Sequence, residues 1–140
     1  LGWTVPDYIA ISVGDGCTIA GLWKGLKDLH AIGFIDRLPR LISAQAEGCC
    51  PLNRAIETGE AWRPMEENTL ADSIAVGVPR NADKALMAIR ESKGLTVNVS
   101  DQEIMAAQKL WAAGAHMFDG RVEEALFAAD GSGGGQRMGQ

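Results

Sequence analysis

The stretch Tyr8-Ile9-Ala10-Ile11-Ser12-Val13-Gly14-Asp15-Gly16-Cys17-Thr18-Ile19-Ala20-Gly21-Leu22-Trp23 decides the fold. Tyr8 to Val13 is short, apolar and rich in β-branched side chains, which predicts a strand buried in a parallel sheet. Gly14-Asp15-Gly16 then signals a tight turn. Beyond it, Ile19, Leu22, Trp23, Leu26 and Leu29 recur at the spacing of one helical face. Thr18 stands where it can cap that helix. Strand, glycine turn and helix in immediate succession are the unit of α/β folds.

The turn has the parts of an anion cradle. A phosphate dianion needs several converging hydrogen-bond donors. Successive backbone N–H groups in a glycine loop supply them where no side chain blocks the approach. The following helix adds free N–H groups and the positive end of its dipole, and Thr18 adds a hydroxyl. Glycines also follow strands merely to turn the chain, and the loop alone leaves both readings open. It is no P-loop, because no Gly-Lys-Ser/Thr closes it. It is no dinucleotide fingerprint either, because position 19, where the third glycine would fall, is Ile.

Working outward, the alternation continues. Leu41 to Ala46 reads as a second strand ending at Glu47-Gly48, and Cys50 to Ile56 as a helix with Pro51 in its first turn. Thr58 to Asn68 is a polar surface loop. Thr69 to Val76 is apolar, and its pattern selects neither helix nor strand. Ala82 to Ser92 is helical, with Ala85, Leu86 and Ile89 on one side and Gly94 as its stop. Leu95 to Val99 has the period of a strand. Ser100-Asp101-Gln102-Glu103 has the form of a capping box and opens a helix through Ile104, Ala107, Leu110 and Trp111. This pattern predicts an α/β fold with a mainly parallel sheet.

Composition narrows the function. The 140 residues carry a net charge of -5 and no basic cluster, so a nucleic-acid surface is not expected. No apolar run reaches membrane-spanning length, and no membrane partner is expected. The three cysteines, Cys17, Cys49 and Cys50, do not form a secreted disulfide framework. With only His30 and His116 beside them, no metal site is expected. A cytoplasmic setting follows. Cys49 and Cys50 read as buried small residues, and Trp23 and Trp111 as core. Cys17 is either a small residue tolerated in the loop or a reactive thiol. Glu47 fits a solvated turn at a strand end as well as a site edge.

Ser12-Val13-Gly14-Asp15-Gly16-Cys17-Thr18-Ile19-Ala20-Gly21, followed by Trp23-Lys24-Gly25, resembles the phosphate-loop region of threonine synthases and their pyridoxal-phosphate (PLP) dependent relatives. Asp36-Arg37-Leu38-Pro39-Arg40, then Gln45-Ala46-Glu47-Gly48 and Pro51-Leu52, resembles the family's next strand and turn. Thr69-Leu70-Ala71-Asp72-Ser73-Ile74-Ala75-Val76-Gly77 and Val99-Ser100-Asp101-Gln102-Glu103-Ile104 are similar to the motifs that follow. The resemblance runs in unbroken order to about residue 111. Each motif alone is weak, and the four in order are specific to the family.

The resemblance implies a partial three-layer (αβα) sheet, a fragment of the large domain of the tryptophan-synthase-beta-like PLP enzymes. It makes 1–113 a partial PLP-binding domain, followed by a divergent helical end at 114–129, and the Gly-rich composition of 130–140 predicts a disordered tail. It assigns pyridoxal 5'-phosphate as cofactor, with Gly14, Asp15, Gly16, Cys17 and Thr18 around its phosphate and Ser73 close to it. It implies a lyase of the threonine-synthase type, turning O-phosphohomoserine into threonine and phosphate. A serine/threonine dehydratase type and a non-catalytic α/β remnant that binds a phosphorylated ligand or a partner are the alternatives. The family's Schiff-base lysine lies in a Ser-Phe-Lys-Asp-type motif that this chain lacks. Lys24, Lys27, Lys84, Lys93 and Lys109 fall in helical contexts. The chain alone is therefore expected to be inactive, with no catalytic residue of its own. An apolar sheet edge or face left open would favour association, a homodimer included.

Overall fold

The computed structural model describes residues 4–115. Strand β1 (Tyr8–Ser12) leads into helix α1 (Cys17–Ala31), and strand β2 (Arg40–Ala46) into helix α2 (Pro51–Thr58). After a long connection with one 3₁₀ turn (Asp72–Ile74) come helix α3 (Ala82–Glu91), strand β3 (Leu95–Val99) and helix α4 (Asp101–Ala115). The expected helix over 122–129 and the Gly-rich tail lie outside the described residues.

The three strands form one parallel sheet in the order β1-β2-β3. Ile9 is in register with Leu41 and Ile11 with Ser43. Ser43 is in register with Thr96 and Gln45 with Asn98. These residues share one face, and α1, α2 and α3 cover it. Its core is built from Ile19, Trp23, Leu26, Leu41, Leu52, Ala85, Leu86 and Ile89. The helical faces are those the apolar spacing predicts: Ile19, Trp23 and Leu26 are buried on α1, and Ala85, Leu86 and Ile89 on α3. Glu91 of α3 receives hydrogen bonds from Trp23 Nε1 (2.6 Å) and Lys27 Nζ (2.8 Å) of α1, which fastens the two helices. Both donors hold the Glu91 carboxyl below its ordinary pKa, Lys27 more strongly.

The core also contains polar groups, and each is satisfied. Ser43 Oγ donates to Asn53 Oδ1 (2.6 Å), and Asn53 Nδ2 donates to the carbonyls of Ser43 (3.1 Å) and Val97 (3.0 Å). These bonds tie α2 across β2 to β3.

The opposite face carries Tyr8, Ala10, Ile42, Ala44, Leu95 and Val97, and none of α1, α2 and α3 covers it. Tyr8, Leu95 and Val97 are between 43% and 47% exposed. The described residues thus supply the sheet and one helical layer of the αβα arrangement. β1 is correspondingly a half-open edge strand, with alternating exposure, and not the fully buried strand its apolar run suggests.

Other expectations are corrected. Thr18 lies inside α1 and makes no cap; the cap position is Gly16, at φ 84°. Trp111 is 67% exposed and Leu110 76%, so the far end of the apolar stripe of α4 lies open among the described residues, while Ile104 at its start is half-buried. The indeterminate 69–76 segment is mostly irregular, with the 3₁₀ turn at its centre. Lys93 lies beyond α3, not within it. The capping box forms as expected: Ser100 N–H donates to Glu103 Oε2 (2.9 Å), and Glu103 N–H to Ser100 Oγ (3.3 Å).

Candidate functional site

The loop 13–17 stands at the carboxyl end of β1, the edge at which α/β sheets place their ligands. Val13 N–H extends the ladder to Ala44 O at 2.8 Å, and the chain then leaves the sheet. Two tethers hold the loop against the start of α3. Asn81 N–H donates to Asp15 O (3.1 Å), and Arg80 N–H donates to Asp15 Oδ1 (2.6 Å). Arg80 Nε stands 3.7 Å from the second Asp15 oxygen, which also receives Cys17 Sγ at 3.6 Å. Asp15 thereby turns its charge toward Arg80.

Two glycines make this packing possible. A β-carbon on Gly14 would meet Ile74 Cα and Val76 Cγ2, each at 3.1 Å. One on Gly16 would stand 2.8 Å from Ala85 Cβ, at a backbone angle that L side chains rarely adopt. The loop is therefore pressed between the 73–76 segment and α3.

Ser12 through Ile19, with Ser73 and Ile74, line a cavity of about 260 Å³. All six residues assigned from the resemblance (Gly14, Asp15, Gly16, Cys17, Thr18 and Ser73) are on its wall. Cys17, Thr18 and Ser73 are exposed there. The distinctive feature is the backbone. Among the described residues, the N–H groups of Gly14, Asp15, Gly16, Cys17, Thr18 and Ile19 donate to no protein acceptor. The first intrahelical bond is made by Ala20, to Gly16 O at 3.2 Å. A run of unused donors ending in a 15-residue helix is a cradle for an anion. A phosphate group matches this donor set. No lysine lines the cavity.

Sequence reasoning missed the residues that support the loop from behind, Arg80 and Asn81. A polar residue before the α3 pattern reads only as a helix cap, and nothing local shows that it reaches back 65 residues to the loop. Lys24 and Lys27 are committed to Asp28 and Glu91 on the outer side of α1. Cys49 and Cys50 are buried and unbridged, as expected. Burial pushes both thiols up, with the Glu67 carboxylate adding to the effect at Cys49 and that of Glu57 at Cys50. Glu47 is exposed in its turn. Larger cavities of about 480 and 370 Å³ lie beside α2 and between α1 and α3. They gather shorter runs of free N–H groups: in the larger, those of Ala61, Trp62 and Arg63 donate to no protein acceptor among the described residues.

A parallel α/β sheet with a donor-lined glycine loop at its carboxyl edge is an arrangement that can take an anionic ligand, and sequence comparison gives the family. Residues 1–128 match the family model described as pyridoxal-phosphate dependent enzyme, and the chain belongs to that family. Its cofactor class is pyridoxal 5'-phosphate. The chain is 45% identical over 111 residues to the threonine synthase of Methanosarcina acetivorans, covering 78% of this chain and 27% of that protein. It is 40% identical over 114 residues to the threonine synthase of Methanocaldococcus jannaschii, covering 80% of this chain and 28% of the relative. The chain thus spans about a quarter of the length of these relatives. Among solved structures it resembles a threonine deaminase from T.th. with a TM-score of 0.57 at 20% identity, covering 76% of this chain and 36% of that one. At that identity the likeness concerns the fold alone.

Proposed function

We propose that the cavity at Gly14–Ile19 holds the phosphate of pyridoxal 5'-phosphate, and that the chain carries this site for a lyase of the threonine-synthase type. The run of six unused N–H groups around one cavity supports this reading more than any other observation. Gly14, Asp15, Gly16, Cys17 and Thr18 donate from the backbone, and Thr18 and Ser73 add hydroxyls. Asp15 contributes through its N–H, while its carboxylate latches the loop to Arg80. The dipole of α1 favours the dianion by about 0.3–1 kcal/mol in an exposed setting. When bound, the cofactor supplies the electron sink that makes carbanions at the substrate's Cα and Cβ accessible.

The identities to threonine synthases support O-phosphohomoserine as substrate, with threonine and phosphate as products, and we place this biosynthetic reaction in the cytoplasm. A serine/threonine dehydratase of the same pyridoxal-phosphate family is the second reading. No lysine stands at the cavity, so the chain by itself binds the cofactor without forming a covalent adduct at one lysine.

The test is a titration of the purified chain with pyridoxal 5'-phosphate, followed by absorbance with and without borohydride. Saturable binding displaced by excess inorganic phosphate, with no unique reduced lysine, is the expected result. Absence of binding by a folded chain would overturn the cofactor reading. A unique reduced lysine would overturn the inactivity of the chain alone.

A further inference from the structure

Gln45 is 1% exposed and lies on β2, beneath the loop. Its Nε2 donates to Val13 O at 3.1 Å. Its Oε1 accepts from the N–H groups of Leu52 (3.1 Å) and Asn53 (2.9 Å), the second and third residues of α2. The partners fix the orientation of the amide, because a flip would set oxygen against carbonyl and NH₂ against N–H. One side chain thus caps α2 from a neighbouring strand, where Cys50 at the cap position provides no side-chain bond, and grips the last carbonyl before the glycine loop.

The grip has a geometric consequence. A trans peptide is planar, with its C=O and N–H on opposite sides, and no cis bond occurs among the described residues. Drawing Val13 O toward Gln45 and the core turns the Gly14 N–H the other way, away from the core. That N–H is the first of the unused donors.

We propose that Gln45 is a positioning residue for the phosphate loop: it fixes the Val13–Gly14 peptide so that Gly14 N–H is presented to the anion. This rests on the phosphate-loop reading above. A loop whose first donor is held by a buried side chain loses less conformational entropy when it closes on a ligand.

Gln45→Glu separates this role from the capping role. The carboxylate still accepts from Leu52 and Asn53, but sets an oxygen against Val13 O. With inorganic phosphate and pyridoxal 5'-phosphate as probes at pH 8, the variant's affinity is expected to fall about tenfold, or about 1.4 kcal/mol, while the Leu52 and Asn53 amides keep their hydrogen-exchange protection. Unchanged affinity in the variant, with the wild type binding, would overturn the role of Gln45 and leave the phosphate site standing. A folded wild type that binds neither probe would overturn the phosphate site itself, and the role of Gln45 with it. Should the variant not fold, the wild type decides by NMR. On titration with phosphate, the Gln45 side-chain NH₂ resonances are expected to shift together with the Gly14 amide. A Gly14 shift with a stationary Gln45 side chain would overturn the proposal.

Discussion

Asp15 separates two tasks within one residue. Its backbone N–H is among the unused donors of the loop, while its carboxylate accepts from Arg80 N–H at 2.6 Å. An anionic side chain in a phosphate loop is unfavourable if it faces the ligand, and here it is turned aside and offset by Arg80. Asp15→Asn keeps an acceptor for the Arg80 N–H, whereas Asp15→Ala removes it. Urea denaturation is expected to show Asp15→Ala less stable by about 1–2 kcal/mol, with Asp15→Asn closer to the wild type. Equal stability of all three would mean that the latch contributes nothing. The loop residues themselves were legible in the sequence, because a strand, two glycines and an amphipathic helix are adjacent in the chain. Ser73 was found by resemblance, since no local pattern brings it to Gly14. Arg80 and Asn81 escaped, because their contact with the loop exists only after α3 has packed on α1.

At the scale of the element, α1 and α3 end in the same way, with different residues. At the end of α1, Gly33 N–H bonds to His30 O (3.1 Å) and Phe34 N–H to Leu29 O (2.9 Å). At the end of α3, Lys93 N–H bonds to Arg90 O (3.1 Å) and Gly94 N–H to Ile89 O (2.8 Å). Both are Schellman closures, which need a left-handed residue just past the helix. Gly33 fills that position at φ 76°, and Lys93 at φ 51°. The glycine signal at 94 located the end of α3 correctly but not the strained residue. Gly94 is required for a different reason: a β-carbon there would meet Leu41 O of β2 at 2.6 Å. Lys93→Gly is therefore expected to stabilise the chain by about 0.5–1 kcal/mol, read as a higher urea midpoint at unchanged m-value. The Lys93 carbonyl, which receives Arg40 Nε at 2.8 Å, is retained. A midpoint that falls would show that the Lys93 side chain outweighs the backbone strain. The elements read correctly were those whose apolar face found a partner, near or far: α1 and α3 pack on each other through the faces their spacing predicts, although Trp23 and Glu91 are 68 residues apart. The stripe on α4 misled, because periodicity reports a face able to pack, not a face that has packed.

At the scale of the whole molecule, the same distinction governs the sheet. A parallel strand is apolar on both faces, and β1, β2 and β3 have helices on one face only among the described residues. Ala10, Ile42, Ala44, Leu95 and Val97 form an apolar surface across the strands in register, bordered by Tyr8, whose ring is stacked 5.4 Å under the Arg40 guanidinium. Water against such a surface is unfavourable by about 25 cal/mol per Å² of apolar area. A second copy of the chain offers a matching surface, and pairing face to face would cover both. Light scattering across a range of concentrations is expected to show self-association that weakens on cooling, as hydrophobic contacts do. Leu95→Lys combined with Val97→Thr sets a charge and a hydroxyl on this face and leaves the buried face, the loop and the Gln45 contacts untouched. The double variant is expected to be less associated at every concentration while it keeps its affinity for inorganic phosphate. A wild type that stays monomeric at the highest concentration would mean that the open face does not drive association. A variant that associates as strongly as the wild type would move the contact elsewhere, with the exposed Leu110 and Trp111 of α4 next to be tested.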